Sequence, residues 1–111
     1  MLVGCEPSVA IHEAARTGNI EAVKQHLAEG ADVNAENIFD KTPLHRASLG
    51  RYKEVTELLI TKGADVNVQD INGSTSLDWA VVPTAVNKTE TSNLLRKHGG
   101  QTGEELKAAA N

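Results

Sequence analysis

Residues Gly30-Ala31-Asp32-Val33-Asn34 recur as Gly63-Ala64-Asp65-Val66-Asn67, 33 positions later. A second, unrelated landmark keeps the same step: Ile11, Leu44 and Leu77 follow one another at intervals of 33, the first two each followed by histidine. A period of this length marks a stack of supersecondary units, each burying its apolar face only against its neighbours. The chain of 111 residues holds three such units. That is enough for one domain and not for two independent cores.

The second unit shows the local logic best. Pro43 suits the first turn of a helix, where its missing N–H is not needed, and Thr42 before it can cap that end through its hydroxyl. This first helix runs through Ala47 and Ser48 and stops near Gly50. A second helix, about Lys53 to Lys62, carries Val55, Leu58, Leu59 and Ile60 on one face. Lys62 lies in its last turn and Gly63 just beyond, where a left-handed residue commonly ends a helix. The stretch Ala64 to Thr75 is extended, with Asp70-Ile71-Asn72-Gly73 forming a tight turn. Trp79, Tyr52 and Phe39 are the only aromatic residues, so the interior is built from Ala, Leu, Val and Ile. Alanine lets short helices approach closely and has the best helix propensity.

Thr42-Pro43-Leu44-His45 and the two Gly-Ala-Asp-Val-Asn segments resemble the signature of the ankyrin repeat. The resemblance covers residues 5–106, as repeats 5–37, 38–70 and 71–106, after an N-terminal tail over 1–4. It implies an all-α solenoid of three helix-turn-helix repeats with hairpin-like finger loops. The repeats depart from one another in informative ways. Val9-Ala10 replaces Thr-Pro in the first, and Gln25-His26 stands where the second has Leu58-Leu59, as a terminal unit with one wet face allows. In the third, Ser76 replaces Pro43 and Asp78 replaces His45. Leu94-Leu95 matches Leu58-Leu59 at an offset of 36, so three residues are inserted between Val81 and Glu90, around Pro83. Gly99-Gly100 breaks the chain, and Thr102-Gly103-Glu104-Glu105 reads as a capping box that opens a last helix over 102–111. That helix is expected to lid the end of the stack.

The chemistry-bearing residues point away from catalysis. In ankyrin repeats the histidine of the motif is structural, bonding backbone between finger and helix, and His12 and His45 match that position. Set 33 apart, they are no helical i, i+4 metal pair. His26 and His98 lie near helix C-termini, where an imidazole is favoured without further purpose. Ser48 occupies the small-residue position that Ala15 fills one repeat earlier, so it packs rather than attacks. Nucleophilic catalysis needs a base and an oxyanion site that no segment offers. Asp32-Asn34 and Asp65-Asn67 supply two oxygens per finger, too few for calcium. No phosphate-cradling loop is present. Neither a cofactor nor a metal, nor a small-molecule substrate, is expected.

The chain carries 11 basic and 15 acidic residues, a formal charge of −4, with no basic stripe; a nucleic acid is not the expected partner. A protein is. The resemblance implies a concave face made of finger tips and first helices. Carried over position by position, it assigns Arg16 and Thr17 in the first repeat, and Glu36, Ile38, Phe39, Lys41 and Leu49 in the second. In the third it assigns Gln69, Ile71, Asn72, Ser74 and Val82. Glu13, Arg46 and Trp79 share one column of the first helices, which predicts that Arg46 pairs with Glu13 and lies against the Trp79 ring. Ile38, Phe39 and Ile71 put apolar side chains where tips are often polar. Either Phe39, Ile38, Ile71, Arg46 and Trp79 form the centre of a binding patch, or Phe39 and Ile38 fold back and Trp79 is semi-buried packing. The interface would bury ~800 Å² on this side at most.

The reading is therefore a monomeric protein-binding module, not an enzyme. No apolar run approaches the ~18–20 residues of a membrane span. As it stands the chain is expected in the cytoplasm. Met1-Leu2-Val3-Gly4-Cys5 also resembles the end of a bacterial lipoprotein signal, and the alternative is an envelope lipoprotein anchored through Cys5, the single cysteine.

Overall fold

In the computed structural model, residues 7–81 and 90–110 are described, the side chains from residue 10 onward. Cys5, Val82, Pro83 and the three-residue insertion lie outside them. Among the described residues seven helices follow in order: α1 Pro7–Thr17, α2 Ile20–Ala28, α3 Pro43–Gly50, α4 Lys53–Thr61, α5 Ser76–Val81, α6 Glu90–Lys97 and α7 Gly103–Ala110. Helices α1, α3 and α5 pack side by side in one row, and α2, α4 and α6 form a second row behind it. The loops between α2 and α3 and between α4 and α5 are the two fingers.

The period of 33 is the period of the core. Ile11, Leu44 and Leu77 are all buried, as are Ala14, Ala47 and Ala80 one turn on. Each triplet forms a rank across the inner row. Val23, Val55, Leu59 and Leu95 close the interior from the outer row. Leu95 takes the place of Leu59 despite the offset of 36, so the inserted residues leave the packing of α6 intact.

Caps and staples hold the loops. Thr42 Oγ1 accepts from the His45 backbone N–H, while His45 Nδ1 accepts from the Thr42 N–H, a reciprocal box with histidine in the role usually given to Glu or Gln. Arg51 ends α3 in the left-handed region at φ 59°, at the register where Gly18 has φ 73°. The Asp-Val-Asn segment has two separate tasks. Asp32 and Asp65 accept from the N–H two residues on, closing local turns. Asn34 reaches the next repeat instead, donating to Gly63 O at 3.3 Å and accepting from Asp65 N at 2.8 Å. Asn67 repeats the staple with Gly99 O at 3.1 Å and Gln101 N at 2.8 Å.

Helix α7 is attached at one end. Thr102 and Glu105 exchange the expected pair of hydrogen bonds, and Arg96 grips Glu105 through both oxygens. The Gly103 N–H donates to Asp78 Oδ2 at 2.8 Å. Gly103 must be glycine, because a Cβ there would overlap the Gly73 carbonyl oxygen. None of the residues of α7 is buried. The helix is moored by its N-terminus, and its one large apolar side chain, Leu106, is half-buried.

Candidate functional site

The two finger tips share one turn. Asn37 Oδ1 accepts from the N–H groups of Phe39 and Lys41, and Asp70 Oδ1 accepts from those of Asn72 and Ser74, 33 residues later. Asp40, with φ 61°, fills the left-handed position that Gly73 fills with φ 79°; a short acidic side chain tolerates it. The tips touch: the Ile71 N–H donates to the Phe39 carbonyl at 2.9 Å. That bond joins the two tips, on which Ile38, Phe39 and Ile71 have relative exposures of 85%, 51% and 63%.

Below the tips lies a charged cluster. Asp70 is buried, with 5% of its surface exposed. Its Oδ2 accepts from Trp79 Nε1 at 2.9 Å and faces Lys41 Nζ at 3.3 Å. The same ammonium lies 4.9 Å from the centre of the Trp79 ring and 5.7 Å from that of Phe39. Such distances are those of a favourable cation–π contact. Burial pushes the Asp70 carboxyl up. The indole N–H, the Ser74 and Asn72 amides and Lys41 together outweigh that push and hold it below its ordinary value.

This geometry corrects one expectation. The cation over Trp79 is Lys41, not Arg46, and the ion pair of Glu13 is with Arg16, whose Nε donates to Glu13 Oε1 at 3.0 Å. Arg16 stands three residues along the same helix and reaches Glu13 without crossing between repeats. Arg46 contributes only a weaker electrostatic pull on Glu13, and its Nε is buried without a hydrogen-bond partner. Asp70 is the residue the sequence reading passed over. Its signal was the register with Asn37: an acid stands where the same turn otherwise uses an amide.

The remaining assigned positions are spread over the same side chains and loops. Glu36, Gln69 and Asn72 are exposed, Leu49 is 46% exposed, and Gln69 Nε2 donates to Gly73 O at 3.2 Å. Thr17 turns its hydroxyl back onto the Glu13 and Ala14 carbonyls, and Ser74 offers its carbonyl to His45. Trp79 is half-buried. Between the second tip and the start of α7 runs an open groove of about 440 Å³, walled by Ser74, Asp78, Trp79 and Glu104.

The histidines are fasteners. His12 Nε2 donates to the Lys41 carbonyl at 2.9 Å, and His45 Nε2 to the Ser74 carbonyl at 3.0 Å, each 29 residues ahead. A carbonyl only accepts, so Nε2 carries the proton in both rings. In His45 the other nitrogen accepts from Thr42, which leaves no place for a second proton. Burial lowers the His45 pKa, more than the Ser74 carbonyl raises it. In the third repeat the partner ahead is no finger carbonyl but the Gly103 N–H, and the residue is an acceptor, Asp78, whose Oδ2 also accepts from the Thr75 N–H three residues back.

The family model described as ankyrin repeats (3 copies) matches residues 11–104. The chain belongs to the ankyrin-repeat family. It is 30% identical over 95 residues to the NF-kappa-B inhibitor cactus of Drosophila melanogaster, covering 83% of this chain and 18% of that protein. Protein phosphatase 1 regulatory subunit 27 of Homo sapiens is 38% identical over 52 residues, which are 47% of this chain and 34% of that one. The mitochondrial disaggregase of Bos taurus is 43% identical over 51 residues, 46% of this chain and 8% of the enzyme. The chain thus spans under a fifth of the length of cactus, and its likeness to the disaggregase is confined to a repeat segment. Ankyrin repeats are generally protein-interaction modules, and two of these relatives are by name an inhibitor and a regulatory subunit. No helix among the described residues is long and apolar enough to cross a membrane.

Proposed function

We propose that this ankyrin stack is a non-catalytic module that holds a protein partner across its finger tips and the adjoining inner helices. The observation that carries the reading is the apolar ridge of Ile38, Phe39 and Ile71, exposed on two finger tips that are hydrogen-bonded to each other, with Lys41 against Phe39 and held in turn by Asp70 and Trp79. Apolar side chains on a small domain are normally scattered; a group of them on two joined tips is what a partner covers. The brace matters for affinity, because a surface already ordered loses little entropy on binding. Arg16, Glu36, Arg46, Leu49, Gln69 and Asn72 belong to the same binding face in this reading, Arg16 with its charge already paired to Glu13.

The experiment compares two immobilised chains, the wild type and the Phe39→Asp/Ile71→Asp double variant, matched in helical circular dichroism and melting midpoint. Extract from the native source is passed over both, and retained proteins are identified by mass spectrometry. A protein held saturably by the wild type and lost by the variant is the expected result. Equal retention on both would overturn the assignment of this face.

A further inference from the structure

The net charge of the chain is concentrated in its fingers. Residues 30–42 and 63–75 contain five carboxylates, Asp32, Glu36, Asp40, Asp65 and Asp70, against the single cation Lys41. Those two loops therefore carry −4, which is the formal charge of the whole chain. The other ten carboxylates and ten cations cancel. Lys41 is already used, since its ammonium lies 3.3 Å from Asp70. Asp32, Glu36, Asp40 and Asp65 are exposed, and none of the four has an ion-pair partner among the described residues. Glu36 and Asp40 flank Ile38 and Phe39 directly in the chain.

We infer that the occupant of this ridge is a cationic, apolar segment of another protein: aliphatic side chains that cover Ile38, Phe39 and Ile71, flanked by lysine or arginine that meets Glu36 and Asp40. The inference rests on the reading of the ridge as a partner site and adds the chemistry of what it holds. Apolar contact supplies the affinity, and the surplus of negative charge selects against acidic surfaces and steers a basic one in. The same charge disfavours a second copy of this chain on the ridge, because two such faces repel. It equally disfavours an anionic membrane surface. Rim charges of this kind act mainly on the rate of association and on its salt dependence.

The test uses three labelled synthetic peptides and fluorescence anisotropy on the full chain. One peptide combines leucine and lysine, the second leucine and glutamate, the third serine and lysine. The leucine–lysine peptide is expected to bind, to weaken as salt is raised, and to bind at least about threefold more weakly to the Glu36→Gln/Asp40→Asn variant. Asparagine accepts the left-handed backbone at position 40, so that variant keeps the turn. Ile71→Asp, which adds charge but removes the apolar contact, is expected to weaken it as well, and the other two peptides to bind far less. The inference is overturned if the leucine–glutamate peptide binds as tightly, if the Glu36→Gln/Asp40→Asn variant binds unchanged, or if sedimentation shows a dimer that Ile71→Asp disperses. Should the natural partner be captured through the ridge with no dependence on salt or on Glu36 and Asp40, the charge argument falls while the binding face stands. Should Phe39→Asp/Ile71→Asp leave that capture intact, the face itself is wrong.

Discussion

The indole N–H of Trp79 donates to Asp70 Oδ2 over 2.9 Å, tying the inner helix of the third repeat to the finger tip of the second. The same carboxylate holds Lys41, and its other oxygen closes the tip turn. Asp70→Asn separates these tasks. An amide oxygen can close the turn, as Asn37 does one repeat earlier, but it cannot balance a lysine that is only 15% exposed. The variant is expected to lose about 1–3 kcal/mol in urea unfolding while keeping its helical content. It also tests a pH effect. The folded-state pKa of Asp70 lies below its unfolded value, so its contribution is present above the ordinary carboxylate pKa and lost as pH falls through the folded one. Below about pH 4 the Asp70→Asn variant should lose less stability per pH unit than the wild type.

His45 sets a second, higher window. Its folded pKa is lowered, chiefly by burial, so the unfolded chain takes up the proton first as pH falls. Stability from this group is complete above about pH 6.5 and declines below it, down to the folded pKa. A melting midpoint that drops between pH 7 and 5 in the wild type, with a flatter profile in His45→Asn, is the expected outcome. The variant is less stable throughout, because the link to the Ser74 carbonyl is gone. A profile equally steep in both would show that another group titrates.

The period of 33 made the helices and the core readable, because residues that pack rank on rank must recur at that step. It carries Ile11, Leu44 and Leu77, and equally Ala14, Ala47 and Ala80, straight into the interior. The site was legible only in part. Register places neighbours along a column of first helices, so it offered Arg46 to the Trp79 ring. The cation that lies there comes from a finger, whose path is set by the left-handed turn at Asp40 and not by any column. The role of Asp70 was hidden for a similar reason, since its partners come from two different repeats. The capping box at Thr102 announced a helix, but a cap says nothing about what the helix covers.

Ser48 offers a prediction in the stabilising direction. Its hydroxyl is buried within α3 without a hydrogen-bond partner, at the register where Ala15 packs in α1. Ser48→Ala removes a desolvated polar atom and substitutes a better helix former. The gain should be about 0.5–1 kcal/mol, seen as a melting midpoint higher by about 2–6 °C. A lower midpoint would mean that the hydroxyl is satisfied in solution.

Asp78 decides whether α7 stays docked. An isolated helix of eight residues is not stable in water. This one fully buries no residue and half-buries Leu106, so its order depends chiefly on the groups that hold its N-terminus: Asp78 on the Gly103 N–H, the Thr75 hydroxyl on the Gln101 carbonyl, and Arg96 on Glu105. The aspartate is the natural choice there, because a helix start presents donors and a positive dipole end, whereas a finger presents a carbonyl and takes histidine. Asp78→His restores the residue of the other two repeats and should therefore do harm: one ring nitrogen can accept from the Thr75 N–H, as in His45, but the other then sets an N–H donor against the Gly103 N–H. In native-state hydrogen exchange, protection of the α7 amides beyond Gly103 should fall to nearly that of a free peptide, while the amides of α1 to α4 keep theirs. Asp78→Asn, which retains an acceptor oxygen without the charge, should lose only part of that protection. Unchanged exchange in Asp78→His would place the mooring of α7 in Arg96 and Glu105 instead, and Arg96→Ala would then produce the loss.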